Sequence, residues 1–242
     1  KPNSLSQNSI YKIIKDSRGD IWIGTWAAGI NYYNRDNQSF KNISFGKSSN
    51  TLNYRVVSGM TEDNEGNIWA GTMSDGLNKV NLATGEVQVF KIDKENPHTI
   101  KSNSILGLLD TEDYLWMATK DAGVARLDKA KLKEGKVEFL HIGSEQGLAS
   151  SFTYGVLEDE NGRIWISHSK GLSRLNPVSL YSVNFNTSHG LQGNDFHSGS
   201  FFKSKSGRMF FGGPNGFNTF MPSDVTLNTY KPPVQLTKFS QS

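Results

Sequence analysis

The sequence predicts an all-β protein: a β-propeller of five consecutive four-stranded antiparallel blades, as a closed five-bladed ring or as part of a larger propeller. Three observations predict it. A phrase built on an aromatic residue recurs five times: GDIWIGTWAAGI (19–30), GNIWAGTMSDGL (66–77), DYLWMATKDAGV (113–124), GRIWISHSKGL (162–172) and GRMFFGGPNGF (207–217). Its aromatics, Trp22, Trp69, Trp116, Trp165 and Phe210, stand 47, 47, 49 and 45 residues apart, a period that belongs to solenoids and propellers. Each phrase sits in a frame of four short apolar stretches separated by turns, and no segment shows a sustained helical period with caps.

The first strand of each unit is the apolar run before the aromatic, as in IYKIIKDSRGD (10–20). It ends in a hairpin turn. Asp16, Asp63, Asp110, Asp159 and Ser204 stand six residues before their aromatic, where Asp and Ser favour the start of a turn. Gly19, Gly66, Gly162 and Gly207 stand three before it, where the chain needs a positive φ, and Asp113 is expected to fill that role in the third unit. The second strand is apolar on both faces. In IWIG, Ile21 and Ile23 point one way and Trp22 and Gly24 the other, as strand alternation requires. The tryptophans are therefore expected between blades, with glycine admitting the next backbone. GINYYN, GLNKVN, GVARLD, GLSRLN and GFNTFM supply the third strands. QSFKNIS, GEVQVFKI, KVEFLHI and SVNFNTS supply the fourth in the first four units, and only PPVQLTKF offers one in the fifth. The blades read as about 8–45, 53–93, 102–143, 151–188 and 196–230, followed by a connecting strand at 231–242 that leads toward a further domain.

Composition narrows the function. The 24 glycines suit a turn-rich fold. The 26 basic and 23 acidic residues form no long run, so no basic stripe marks a nucleic-acid partner. The absence of cysteine removes disulfides, thiol catalysis and thiolate metal sites. No membrane span or signal peptide is present, so any membrane contact is expected through segments outside this chain.

The pattern D-x-x-G-x-[IL]-W-[IV]-G-T-x-x-x-G-[IL], with lead-ins such as PNSLSQNSIY, resembles the two-component regulator propeller repeat. The tail KPPVQLTKF (231–239) resembles the segment that precedes a tyrosine-rich immunoglobulin-like domain in that family. The resemblance implies the periplasmic sensor of a membrane-spanning regulator, most often a histidine kinase and often a hybrid one. It implies polysaccharide breakdown products as ligands, and usually more than five repeats.

No catalytic, metal or cofactor constellation stands out. His98, His141, His168, His189 and His197 show no metal-ligand spacing, and no nucleophile-elbow motif is present. FGGPNGF lacks the lysine of a phosphate loop. The informative places are those where the repeats disagree. The loops between second and third strands, and the lead-ins to the inner strands, point to one propeller face. They carry Trp26, Arg55, Asp75, Lys120, Asp121, Tyr154, Lys170, His197 and Asn215. Such a mixture suits a polar small molecule or oligosaccharide, with Trp26 and Tyr154 stacking on a sugar and the charged and amide groups bonding its hydroxyls. The partners expected are that ligand and either neighbouring blades or a second copy of the chain. The alternatives are a lyase resembling streptogramin lyase, using His168 or His197 with Asp75 or Asp121, and a protein-interaction scaffold.

Overall fold

A computed structural model describes residues 4–46 and 48–226. The protein is a five-bladed β-propeller. Blade 1 comprises β1 (Ile10–Lys15), β2 (Ile21–Thr25), β3 (Ile30–Asn34) and β4 (Ser39–Ile43). Blade 2 comprises β5 (Val57–Glu62), β6 (Ile68–Thr72), β7 (Leu77–Val80) and β8 (Val87–Phe90). Blade 3 comprises β9 (Ile105–Asp110), β10 (Tyr114–Thr119), β11 (Val124–Asp128) and β12 (Phe139–Ile142), with a short helix α1 (Lys129–Lys133) between its last two strands. Blade 4 comprises β13 (Thr153–Glu158), β14 (Ile164–His168), β15 (Gly171–Leu175) and β16 (Ser182–Phe185). Blade 5 shows β17 (Phe201–Lys203), β18 (Met209–Gly213) and β19 (Gly216–Phe220). The strands of each blade pair in chain order, all antiparallel. The stretch PPVQLTKF, expected to give blade 5 its fourth strand, lies outside the described residues.

The inter-blade role of the aromatics holds in the structure. Trp22 packs with Met60, Ile68 and Ala70 of blade 2, and Trp69 with Leu108, Leu115 and Met117 of blade 3. Trp116 packs with Val156 and Ile166 of blade 4, and Trp165 with Met209 and Phe211 of blade 5. The glycine two residues on is needed for the approach of the next blade. A Cβ on Gly71 would stand 2.7 Å from Ile105 Cγ2 and 3.1 Å from its carbonyl oxygen. Phe210 holds the tryptophan's place on the last blade, but there it forms an open aromatic ladder with Phe202 and Phe217, which are 62% and 64% exposed. Blade 1 turns Ile13, also exposed, toward its own free side. Blades 5 and 1 touch near the axis, where Lys12 Nζ stands 4.7 Å from the centre of the Phe201 ring.

The repeated Asp does two jobs at once. Asp16 Oδ1 accepts the backbone N–H groups of Arg18 (3.1 Å) and Asp20 (2.8 Å), and Oδ2 accepts the Trp22 indole N–H at 3.0 Å. Asp63 and Asp159 repeat this, with indole bonds of 2.8 and 2.9 Å from Trp69 and Trp165. The six-residue spacing thus ties the hairpin turn to the inter-blade core. Blade 3 departs from it. Asp113 does not take the positive φ expected of it; among the described residues the non-glycine residues in that region are Gln38 and Leu180. The hairpin closes more tightly instead, with the Thr111 N–H bonded to the Tyr114 carbonyl at 2.9 Å, and Asp110 pairs with Lys129. The helix was not expected. Asp128 caps it by accepting the Lys131 N–H, and its insertion before β12 accounts for the longest inter-aromatic spacing.

Candidate ligand-binding face

The register of the two innermost strands builds one face of the propeller. Ile10 pairs with Thr25, Val57 with Thr72, Ile105 with Thr119 and Thr153 with His168. Each lead-in to an inner strand therefore lies beside the loop that leaves its second strand. In blade 5 the His197 N–H bonds to the Gly212 carbonyl at 2.9 Å and does the same.

The Gly-Thr pair of the repeat shapes these loops. Thr25 Oγ1 donates to the Gly29 carbonyl (2.9 Å) and accepts the Ala28 N–H (3.0 Å), and Thr72 and Thr119 make the same pair of bonds. The glycine then latches the next blade. Gly29, Gly76 and Gly123 donate their N–H groups to the carbonyls of Arg55, Asn103 and Ser151 at 3.0, 2.8 and 2.8 Å. His168 takes the threonine's place in blade 4. Its Nδ1 accepts the Lys170 N–H (3.1 Å), and Nε2 lies 2.7 Å from Ser173 Oγ. Burial pushes this imidazole down to about 4.

The expected binding residues fall into three settings. Trp26, Arg55, Lys120, Asp121, Lys170, His197 and Asn215 are exposed on loops or lead-ins of this face. Trp26 is 47% exposed and stacks on Tyr11, ring centres 5.7 Å apart and planes 21° apart. Asn215 is held by Gln192, whose Oε1 accepts its N–H at 2.9 Å. Asp75 is half-buried and paired with Lys91 at 2.7 Å. Tyr154 is different. Its ring is buried, and its hydroxyl donates to Asp195 Oδ1 at 2.6 Å, so it lies beneath the face. Burial and the Asp195 carboxylate hold its phenol well above the ordinary tyrosine range. At 9% exposure the ring offers little surface for the stacking expected of Tyr154.

The structure brings Trp26 and Tyr11 together. It also sets the blade 5 lead-in beside them, since a Cβ on Gly199 would stand 3.7 Å from the Tyr11 carbonyl oxygen. None of the nine side chains hydrogen-bonds another. Sequence reading missed Tyr11, Gln192 and Asp195. Tyr11 was hidden as one more apolar strand residue, and nothing in the sequence marks which loop residues support their neighbours. Among the described residues no group of three His, Cys, Asp or Glu could hold a metal ion, and no helix is long and apolar enough to cross a membrane.

Comparisons with known proteins agree with this architecture. The family model described as two component regulator propeller matches residues 4–27 and 51–74. A histidine kinase of Formosa agariphila is 28% identical over 246 residues, which cover 98% of this chain and 17% of the kinase. Among solved structures, an extracellular domain assigned to a hybrid two-component system of B. thetaiotaomicron superposes with a TM-score of 0.78 at 24% identity. The match covers 93% of this chain and 30% of that one. Virginiamycin B lyase from Staphylococcus aureus superposes with a TM-score of 0.67 at 14% identity, covering 90% of this chain and 69% of the lyase. The chain thus spans less than a third of the first two relatives, and the likeness to the two solved structures is one of fold. The family model thus matches the lead-ins and first two strands of blades 1 and 2, and the later blades keep the same strand plan.

Proposed function

We propose that this chain is a ligand-sensing segment of a membrane-spanning regulator with histidine kinase output, that it lies in the periplasm, and that it binds a carbohydrate on the loop face. The observation that carries the reading is Trp26. The four tryptophans of the repeat are 1–3% exposed, whereas Trp26 is 47% exposed and lies flat against Tyr11. An open indole backed by a second ring is a platform for the apolar side of a sugar. Arg55, Lys120, Asp121, Lys170, His197 and Asn215 surround the same face with groups that bond hydroxyls. The match to two-component regulator propellers supports the signalling context.

Binding needs no covalent chemistry. It acts by favouring one arrangement of the propeller relative to the membrane-proximal part of the regulator, by as much as the ligand's affinity differs between the two arrangements. The lyase reading draws support from fold likeness, but one histidine considered for it is unsuited. His168 is fully buried, and both ring nitrogens are occupied by Lys170 N–H and Ser173. The exposed ends, with Phe202 and Phe217 on one side and Ile13 on the other, favour completion by further blades or a second copy. Calorimetry of the intact sensor region against an oligosaccharide panel tests the proposal. Binding should weaken about tenfold or more in Trp26→Ala, the scale of a lost stacking contact with its desolvated neighbours. A ligand that binds Trp26→Ala and Arg55→Ala as tightly as the parent would move the site elsewhere, and turnover of a substrate would overturn the sensor reading.

A further inference from the structure

A cavity of about 570 Å³ lies away from the loop face, at the seam between blades 1 and 2. The repeat itself shows why this seam is open. The residue of the fourth strand that pairs with the start of the third is Ile43 in blade 1, Phe90 in blade 2, Ile142 in blade 3 and Phe185 in blade 4. Phe90 and Phe185 stack on Trp69 and Trp165, ring centres 5.5 and 5.4 Å apart. Opposite the tryptophan on the third strand stand Lys79, Arg126 and Arg174 in blades 2 to 4, each a cation over its indole at 5.4–5.6 Å. In blade 3, with Ile142, Tyr114 also covers the indole edge-on. Blade 1 has the small Ile43 and an uncharged Tyr32 in these two places, so neither the filling ring nor the covering cation is present.

The lining fits a ligand of definite charge. Trp22 and Tyr32 form an aromatic wall, rings 4.8 Å apart, and Ile43, Val80 and Leu82 are its apolar lining. Among the described residues the charged ones that line the cavity are Arg18 and Lys41, and none that line it is a carboxylate. Arg18 is tied to Asp16 at 2.8 Å. Lys41 and Asn50 have no side-chain partner among the described residues. A cleft of this size, part aromatic and part amide, with a free ammonium at its edge, matches a hydroxylated body carrying one negative charge.

We infer that the blade 1–blade 2 cleft is a second ligand site, which takes a small sugar acid with its carboxylate on Lys41. This site does not depend on the loop-face reading. The test is calorimetry of the intact sensor region with D-glucuronate, with D-glucose and acetate as the neutral-sugar and bare-anion controls. Saturable binding of glucuronate, with neither control binding comparably, is expected. Lys41→Gln should weaken it about tenfold or more, as loss of a charge-assisted hydrogen bond does. Ile43→Phe, which installs the ring already present in blades 2 and 4, should abolish it while leaving the urea midpoint at or above the parent value. Failure of glucuronate to bind overturns the inference. So does equal binding of glucose or acetate, or glucuronate binding that survives Ile43→Phe. The loop-face proposal rests on Trp26 and Arg55 and this one on Lys41 and Ile43, so either can fail while the other stands.

Discussion

Replacing Trp69 by alanine should remove a large part of the stability of the chain. The ring is 1% exposed, and it stacks on Phe90 at 5.5 Å among Leu108, Leu115 and Met117 of the next blade. Truncation of such a residue costs about 3–5 kcal/mol through lost burial and the cavity left behind. The indole N–H also donates to Asp63 Oδ2 at 2.8 Å. A hydrogen bond to a charged group contributes about 1.5–3 kcal/mol. Part of that is recovered here, because Asn67 Nδ2 still reaches the same oxygen at 3.0 Å and Lys79 Nζ lies 3.8 Å away. The expected total is about 4–6 kcal/mol, a third or more of the stability of an ordinary domain. Equilibrium urea unfolding should show a midpoint lower by roughly 1.3–2 M, taking a slope of about 3 kcal/mol/M. Trp69→Phe keeps most of the packing and loses the indole bond, so it should fall between the two. Trp26→Ala is the control, because half of that ring is already in water, and it should cost about 1 kcal/mol. Equal losses for Trp69→Ala and Trp26→Ala would refute the account of inter-blade packing.

Gly71→Ala should destabilise by about 1–3 kcal/mol, since the added carbon meets both the Ile105 side chain and its carbonyl, and thermal unfolding would show it. A substitution that leaves the melting point unchanged would mean that the blades can separate to admit it. His168 is held neutral by burial, with its pKa lowered to about 4 from an ordinary value near 6.5. Its contribution is therefore fully present above pH 6.5 and is lost as pH falls toward 4, amounting to about 3 kcal/mol across that window. Urea midpoints measured at intervals from pH 7 to pH 4 should fall more steeply in the parent than in His168→Gln, and parallel curves would count against the linkage. Tyr154→Phe should lower stability by about 1–2 kcal/mol, because it leaves Asp195 without its 2.6 Å donor, and chemical unfolding reads this directly.

The sequence by itself determined the strand order, the number of repeats and the face on which the variable loops gather. These come from local chemistry. The period of the aromatics, the strict alternation in IWIG and the Asp and Gly of each hairpin act within a few residues of one another, and a linear chain displays such spacings openly. It also marked the four scaffold tryptophans as core and Trp26 as lying outside the pattern. What the tertiary structure decided is everything that depends on which residues of different blades meet. Tyr154 looked like an open ring, yet the ring is buried and its hydroxyl is held by Asp195, forty-one positions away. Tyr11 looked like ordinary strand filling, yet it backs the exposed indole. The tight third hairpin turned on Asp110 finding Lys129, a partner supplied by an inserted helix. The open cleft beside Ile43 exists because a filling ring and a covering cation are both missing at one seam. Burial, orphaned charge and unfilled volume are properties of packed neighbours, and each is set by atoms that lie far apart along the chain.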